Sequence, residues 1–285
     1  SDPVLRERLA ADGKLLSSAN SINWGRVLPQ IVYYISAYCD LLASGAIRMG
    51  EKIDFCVPTG NFGNILAAYY AKRMGLPVGK LICASNSNDV LTEFIRTGVY
   101  DRNRPFHATM SPSMDILISS NLERLLYLLS GSDEAVRGYM RQLSETGRYA
   151  VTPELHAKIL ESFACGCCDE ASTAETIGRV FKERSYLIDT HTAVAWNVLE
   201  QFRRESGSRS MSVVVSTASA FKFCASVLTA LGVEKQAEGT QILRQLSETT
   251  GWPVPKPLAA LDGKKIRFTK AVQKTEMADA VMELL

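Results

Sequence analysis

The feature that most constrains this chain is a short apolar run, Ile53 to Val57, that ends in Pro58-Thr59-Gly60-Asn61-Phe62-Gly63-Asn64. It passes at once into an apolar-periodic segment marked by Ile65, Leu66, Tyr69, Tyr70 and Met74. A strand feeding a glycine-punctuated turn and then a helix is a βα unit, and such a turn aims backbone N–H groups at an anion. Gly60 and Gly63 would let the backbone approach a ligand without a Cβ clash, with Thr59 and Asn61 as side-chain donors. The same pattern is a common connection in α/β proteins, so a phosphate cradle and a plain turn both fit it.

The residues beyond that helix make the unit part of a parallel sheet. Gly75 and Pro77 stop the first helix, Lys80 to Ala84 reads as a second strand, and Ser85-Asn86-Ser87-Asn88-Asp89 is its polar exit. Val90 to Ile95 is then a short helix ending near Gly98. Strand, helix, strand, helix over so few residues implies a right-handed parallel βαβ unit. A third strand, Met211 to Ser216, leads into Thr217-Ala218-Ser219-Ala220-Phe221-Lys222-Phe223 and a helix to Leu231. Ligands of open sheets sit at the carboxyl ends of strands. All three exits carry small polar groups, which predicts a ligand-binding domain. The fold class is therefore α/β: an open, mostly parallel sheet with helices on both faces. Residues 1–132 and 185–285 belong to it, the latter with C-terminal helices. The polar, helix-patterned stretch 133–184 reads as an inserted helical segment or small lobe.

Further candidates lie outside the strands. Val4 to Ala10 reads as the end of a helix, with Asp12-Gly13 as a turn after it. The polar run Ser17-Ser18-Ala19-Asn20-Ser21-Ile22-Asn23-Trp24 precedes a helix with its period at Val27, Ile31, Tyr34, Ile35, Tyr38, Leu41 and Leu42. With Arg26 in the first turn, that run fits an anion site, and it equally fits an N-cap and polar loop. His191 stands beside Asp189 at a helix entrance, as a site residue or as a packing and capping one. Cys165, Cys167 and Cys168 cluster with only His156 near them in sequence. Zinc needs four ligands, so reduced thiols are expected and no metal is assigned.

Composition removes other classes. The 32 basic and 30 acidic residues leave a formal charge of +2, which points away from nucleic acid and anionic membranes as partners. No apolar run is long enough to span a bilayer, and no signal segment opens the chain. Seven cysteines, an odd number set mostly in apolar stretches, predict reduced thiols and a cytoplasmic setting. The opening Ser-Asp-Pro, without an initiator Met, predicts a processed chain or a piece of something longer.

With these motifs laid out, the sequence resembles threonine synthase, a pyridoxal-phosphate (PLP) enzyme of the tryptophan-synthase-β fold type (fold type II). The resemblance rests on Ala19-Asn20-Ser21-Ile22-Asn23-Trp24-Gly25-Arg26, Val57 to Asn64, Arg73-Met74-Gly75-Leu76-Pro77, Ser111-Pro112-Ser113-Met114-Asp115-Ile116, Ser120 to Leu126, Leu187 to Ala193 and Ser216-Thr217-Ala218. These stretches run in family order from residue 15 to about residue 230. The resemblance implies that Gly60, Asn61, Phe62, Gly63 and Asn64 hold the cofactor phosphate and that Thr217 hydrogen-bonds the pyridine nitrogen. It places Asn20, Ser21, Asn23 and Arg26 near the substrate. The implied reaction converts O-phosphohomoserine and water to threonine and phosphate. Two departures stand out: Ser219-Ala220 where many members carry His-Pro, and Asn64 for a frequent Asp. A larger one is that no lysine here has the Phe-Lys-Asp setting of the family's Schiff-base lysine. Lys222, in Phe-Lys-Phe, belongs to a different motif. The resemblance therefore covers the C-terminal three-fifths of the enzyme, an incomplete catalytic domain. The lysine is expected upstream of residue 1, with its N-terminal portion as partner, and the isolated stretch is expected to be inactive. A related phospho-lyase ending at a keto acid, or a non-catalytic domain binding a phosphorylated metabolite, remains an alternative. Either a monomer or a dimer is compatible with the sequence.

Overall fold

Strand β1, Ile53–Pro58, is buried at every position, the pattern of a strand covered on both faces. In the computed structural model, which describes residues 2–17, 20–267 and 269–284, there are five more strands. They are β2 (Val78–Ser85), β3 (Val99–Asp101), β4 (Arg148–Ala150), β5 (Phe163–Cys167) and β6 (Ser212–Val214). Four form one sheet in the order β5-β2-β1-β6, and every pairing in it is parallel. The other two make a small antiparallel pair, with Tyr100 opposite Tyr149.

The pleat sorts side chains between two cores. Phe55 and Val57 of β1 join Leu81 and Cys83 of β2 on one face, under helices Gln30–Ala43, Gly63–Arg73, Val90–Thr97 and Leu122–Ser130. Cys56, Ile82 and Ala84 face the other way, against Val194, Ala195 and Val198 of helix Thr190–Ser206. Each large side chain fully buried in this way contributes about 1.5–3 kcal/mol. A third cluster, with Ile177, Val180, Phe221, Val227 and Leu246, packs the C-terminal helices. The architecture is the open parallel α/β sheet expected. The third strand, Ser212–Val214, is shorter than its β-branched run suggested, although Met211 O still accepts from Asp54 N of β1 at 2.8 Å and Val215 N–H donates to Cys56 O at 2.9 Å.

One expectation needs correcting. Residues 133–184 are not purely helical: they supply β4 and the sheet-edge strand β5, whose Phe163 to Cys167 pair with Leu81 to Ser85. A Cβ on Gly166 would lie 2.8 Å from Val198 Cγ1, so the strand has a glycine where helix Thr190–Ser206 crosses it closely. Thr92 Oγ1 donates to Gly166 O at 2.9 Å and tethers the strand to helix Val90–Thr97. Ser18 and Ala19 of the polar run lie outside the described residues. No described helix is long and apolar enough to cross a membrane.

Candidate functional site

Beyond Pro58 the chain turns into helix Gly63–Arg73 at the carboxyl end of the central strand. Thr59 remains tied to the sheet: its N–H donates to Ala84 O at 2.8 Å and its hydroxyl to Val57 O at 2.7 Å. The carbonyls after it are also held by protein. Gly60 O accepts from Ser119 Oγ at 2.8 Å, and Asn61 O accepts from Asn121 N at 3.1 Å and Nδ2 at 2.8 Å. The amide N–H groups from Gly60 to Asn64, by contrast, have no acceptor among the described residues. Helix starts leave such donors to solvent or an anion, where the helix dipole also favours negative charge.

The left-handed position of the turn falls on Phe62, with φ 62° and ψ 2°, and not on either glycine. For a side chain this costs of order 1–2 kcal/mol. Burial of the ring offsets it, with 1% exposure and Phe163 at 5.7 Å. Gly60 answers a different need from the one expected. A Cβ there would lie 2.6 Å from Ser113 O and 3.2 Å from Met114 Cα, so the glycine accommodates a protein loop. At Gly63 a Cβ would meet Asn121 Nδ2 at an ordinary 3.4 Å. Tyr34 donates to Asn64 Oδ1 at 2.8 Å and to Asn64 O at 3.0 Å. Burial pushes the Tyr34 phenol far up, so it stays a donor. With Oδ1 so engaged, the Asn64 side chain turns its NH2 away from Tyr34.

The loop over the turn is held through His191. Ser113 N–H donates to His191 Nε2 at 3.3 Å, which requires the ring proton on Nδ1, where Asp189 Oδ1 accepts it at 3.1 Å. Asp189 also accepts from His191 N at 2.8 Å and from the Thr192 hydroxyl. Burial raises the Asp189 carboxyl, but these hydrogen bonds outweigh it and hold the group below its ordinary range. His191 is 3% exposed and packs on Phe223 at 4.9 Å. On the other side of the loop, Asp115 Oδ1 accepts from Asn86 Nδ2, Asn88 Nδ2 and Thr109 Oγ1. The exit of β2, expected at the ligand, is thus spent on bracing residues 107–115.

These groups enclose a cavity of about 310 Å³. Thr59 and the turn residues Gly60, Asn61, Phe62, Gly63 and Asn64 line it, together with Ser113, Met114 and His191 of the loop and its support and Ser21, Arg26 and Gln30 from the N-terminal segment. Thr217, exposed just past β6, lines it as well. Asn20 and Asn23 do not line it. Asn20 Oδ1 accepts from Ile22 N at 3.1 Å, and Asn23 caps the turn Trp24–Val27 through Gly25 N at 2.9 Å. Gln30 lines it without having been singled out by sequence, and Ser113 and Met114, quoted only as part of a matching stretch, line it without having been assigned a site role. Gln30 hides among the apolar residues of its helix, and the 78-residue separation of Ser113 from His191 has no local signal.

The other candidates lie apart from the cavity. Burial holds the thiols of Cys165 and Cys168 up at about 11, hence protonated. No group of three His, Cys, Asp or Glu among the described residues is arranged to hold a metal. Lys222 is exposed and borders a different groove. No lysine lines the cavity among the described residues.

Comparison with known proteins places these features in context. No protein-family model matches the chain. Threonine synthase-like 1 of Pongo abelii is 45% identical over 225 residues, which are 78% of this chain and 30% of that protein. The solved structure of yeast threonine synthase matches with a TM-score of 0.83 at 30% identity, covering 98% of this chain and 56% of that one. The PLP-bound threonine synthase of Brucella melitensis matches with a TM-score of 0.72 at 40% identity, covering 86% and 52% respectively. The chain spans about a third of the length of the curated relatives it matches first.

Proposed function

Because this chain is a relative of the threonine synthases in both sequence and fold, we propose that it supplies the phosphate cradle and part of the substrate site of a PLP-dependent enzyme of that kind. The reaction proposed is conversion of O-phosphohomoserine and water to threonine and phosphate. The observation that carries this is the row of acceptor-free amides from Gly60 to Asn64 facing a cavity that also holds Arg26 and Thr217.

The residues present fit the cofactor. Backbone donors at a helix start suit a phosphate monoester, and the Arg26 guanidinium lines the same cavity. Bound PLP would supply an electron sink that acidifies the Cα and Cβ protons of the amino acid. The amides of Gly60 to Asn64 would bind its phosphate and fix its position. Thr217 would meet the pyridine nitrogen with a neutral hydroxyl, which leaves that nitrogen less protonated than a carboxylate would. Arg26 carries a planar fork of donors matched to the phosphate of the substrate, with Ser21 beside it. Asp189 and His191 keep Ser113 over the cradle and are positioning residues. Since the lysines described here lie away from the cavity, the lysine that links the cofactor and moves protons would come from a preceding part of the enzyme. On this reading the isolated stretch binds phosphate esters without turnover.

The test is a product assay on the complete enzyme with O-phosphohomoserine, measuring phosphate release and identifying the carbon product by NMR. Threonine with stoichiometric phosphate is expected, and Arg26→Gln should raise KM about tenfold or more. A keto acid with phosphate would identify a phospho-lyase instead. Absence of phosphate release would contradict the proposal.

A further inference from the structure

Asn121 stands at the N-cap of helix Leu122–Ser130, yet its side chain makes no capping hydrogen bond. An asparagine there ordinarily accepts from a backbone N–H of the first turn. Its Oδ1 instead accepts from Arg124 Nη1 at 2.8 Å, and its Nδ2 donates to Asn61 O at 2.8 Å. The two bonds agree on the orientation of the amide. A guanidinium has no acceptor, so Asn121 must offer it oxygen, which leaves nitrogen for the Asn61 carbonyl.

Asn61 O belongs to the turn after β1, and Asn121 N–H donates to it as well, at 3.1 Å. The peptide is trans, so its N–H points opposite to its C=O. Holding Asn61 O at Asn121 therefore turns the Phe62 N–H, one of the acceptor-free amides, away from Asn121. Asn121 is fully buried and has no water to exchange for these partners.

The other arm of the guanidinium reaches the N-terminal segment, where Arg124 Nη2 donates to Ile22 O. Ile22 adjoins Ser21, and Ser21 and Arg26 both line the cavity. Residues 22–26 are exposed, and only at Val27 does this stretch become buried, so it has little core of its own to hold it. The Trp24 ring attaches it to Tyr70 of helix Gly63–Arg73, with centroids 5.4 Å apart. Ser21 itself lies against the turn, its Cβ 3.8 Å from where a Cβ on Gly63 would stand.

We infer that Arg124 is a positioning residue that couples the cradle to the segment carrying Ser21 and Arg26. With one arm it sets the Asn61 peptide through Asn121, and with the other it holds that segment beside the turn. Arg124 does not itself line the cavity, so it acts on a ligand through these two neighbours. A planar fork serves two acceptors at once, whereas a lysine ammonium keeps the charge and loses the geometry. This inference rests on the proposed function only for the identity of the ligands.

The experiment uses the 285-residue protein as wild type, Arg124→Lys and Arg124→Ala. Each is titrated with inorganic phosphate, and limited trypsin digestion is followed at the bond after Arg26 by mass spectrometry. Thermal melts confirm that each variant is folded. Both variants should bind phosphate about three- to tenfold more weakly, and cleavage after Arg26 should accelerate about tenfold as the segment opens. Added ethylguanidinium should restore phosphate affinity to Arg124→Ala while leaving the wild type unchanged, a response that lost packing alone would not give. If the wild type binds phosphate and the two variants match it in affinity or in cleavage, the coupling is refuted and the cradle stands. A weakening that ethylguanidinium does not reverse makes Arg124 a packing residue and also refutes the coupling. If the wild type binds no phosphate, the cradle and the coupling fall together.

Discussion

Replacing Gly60 with alanine tests the turn at the end of β1 most sharply. The new Cβ would stand 2.6 Å from Ser113 O, so the gap must open by about 0.8 Å to reach an ordinary contact of 3.4 Å. Neither side yields easily. Ser113 is held by His191, Met114 is 2% exposed in the core beside Ile82 and Val194, and Gly60 O is held by Ser119. Overpacking of this kind costs about 1–3 kcal/mol. At roughly 2–4 °C per kcal/mol, that lowers Tm by roughly 2–12 °C. A shift approaching 1 Å also takes amides out of hydrogen-bond range, so phosphate affinity should fall about tenfold or more. The assays are a thermal melt and titration with inorganic phosphate. A variant matching the wild type in both would refute the claim that the loop at Ser113 and the amides of the turn form one rigid unit.

The same geometry carries other expectations. Gly138 lies within helix Asp133–Thr146 with nothing within 4 Å of an added Cβ, so Gly138→Ala should stabilise by about 0.5–1 kcal/mol in the same melt. Phe62→Gly relieves a left-handed side-chain conformation but deletes a buried ring, and a net loss of about 2–4 kcal/mol is expected by denaturant unfolding. Asp189→Asn removes a buried carboxylate that accepts from His191 and Thr192, which should cost about 1.5–3 kcal/mol at neutral pH. Because the folded carboxyl titrates below its ordinary value of 3.8, its contribution is present above that value and lost as pH falls through the folded one. The gap between wild type and Asp189→Asn should therefore shrink in acid, and a gap independent of pH would contradict the charge-assisted role.

The central βα unit was legible because two local signals agree there. An apolar run and a helical period meet at a glycine-rich turn, and in the structure β1 and helix Gly63–Arg73 begin and end close to where those patterns place them. Strand β5 was not legible. Phe163-Ala164-Cys165-Gly166-Cys167 has little β-branched character, and it is a strand because β2 offers a parallel edge and a crossing helix needs Gly166 small. At the site, local sequence located the amide donors but not their supports. The Ser113–His191–Asp189 chain and the bracing by Asn86 and Asp115 join residues far apart in sequence. Thr59, expected beside a ligand, lines the cavity, but its hydroxyl bonds back to its own strand. Asn20 and Asn23 look like ligand residues by type, and each bonds a backbone amide of its own turn.

The central claim is that the turn after β1 binds the phosphate of PLP. Its most direct test is a crystal structure of the protein with PLP bound. The account predicts phosphate oxygens within about 3.2 Å of backbone nitrogens in the stretch Gly60 to Asn64, with Thr217 beside the pyridine nitrogen. A phosphate bound elsewhere, with those amides still facing solvent, would contradict it.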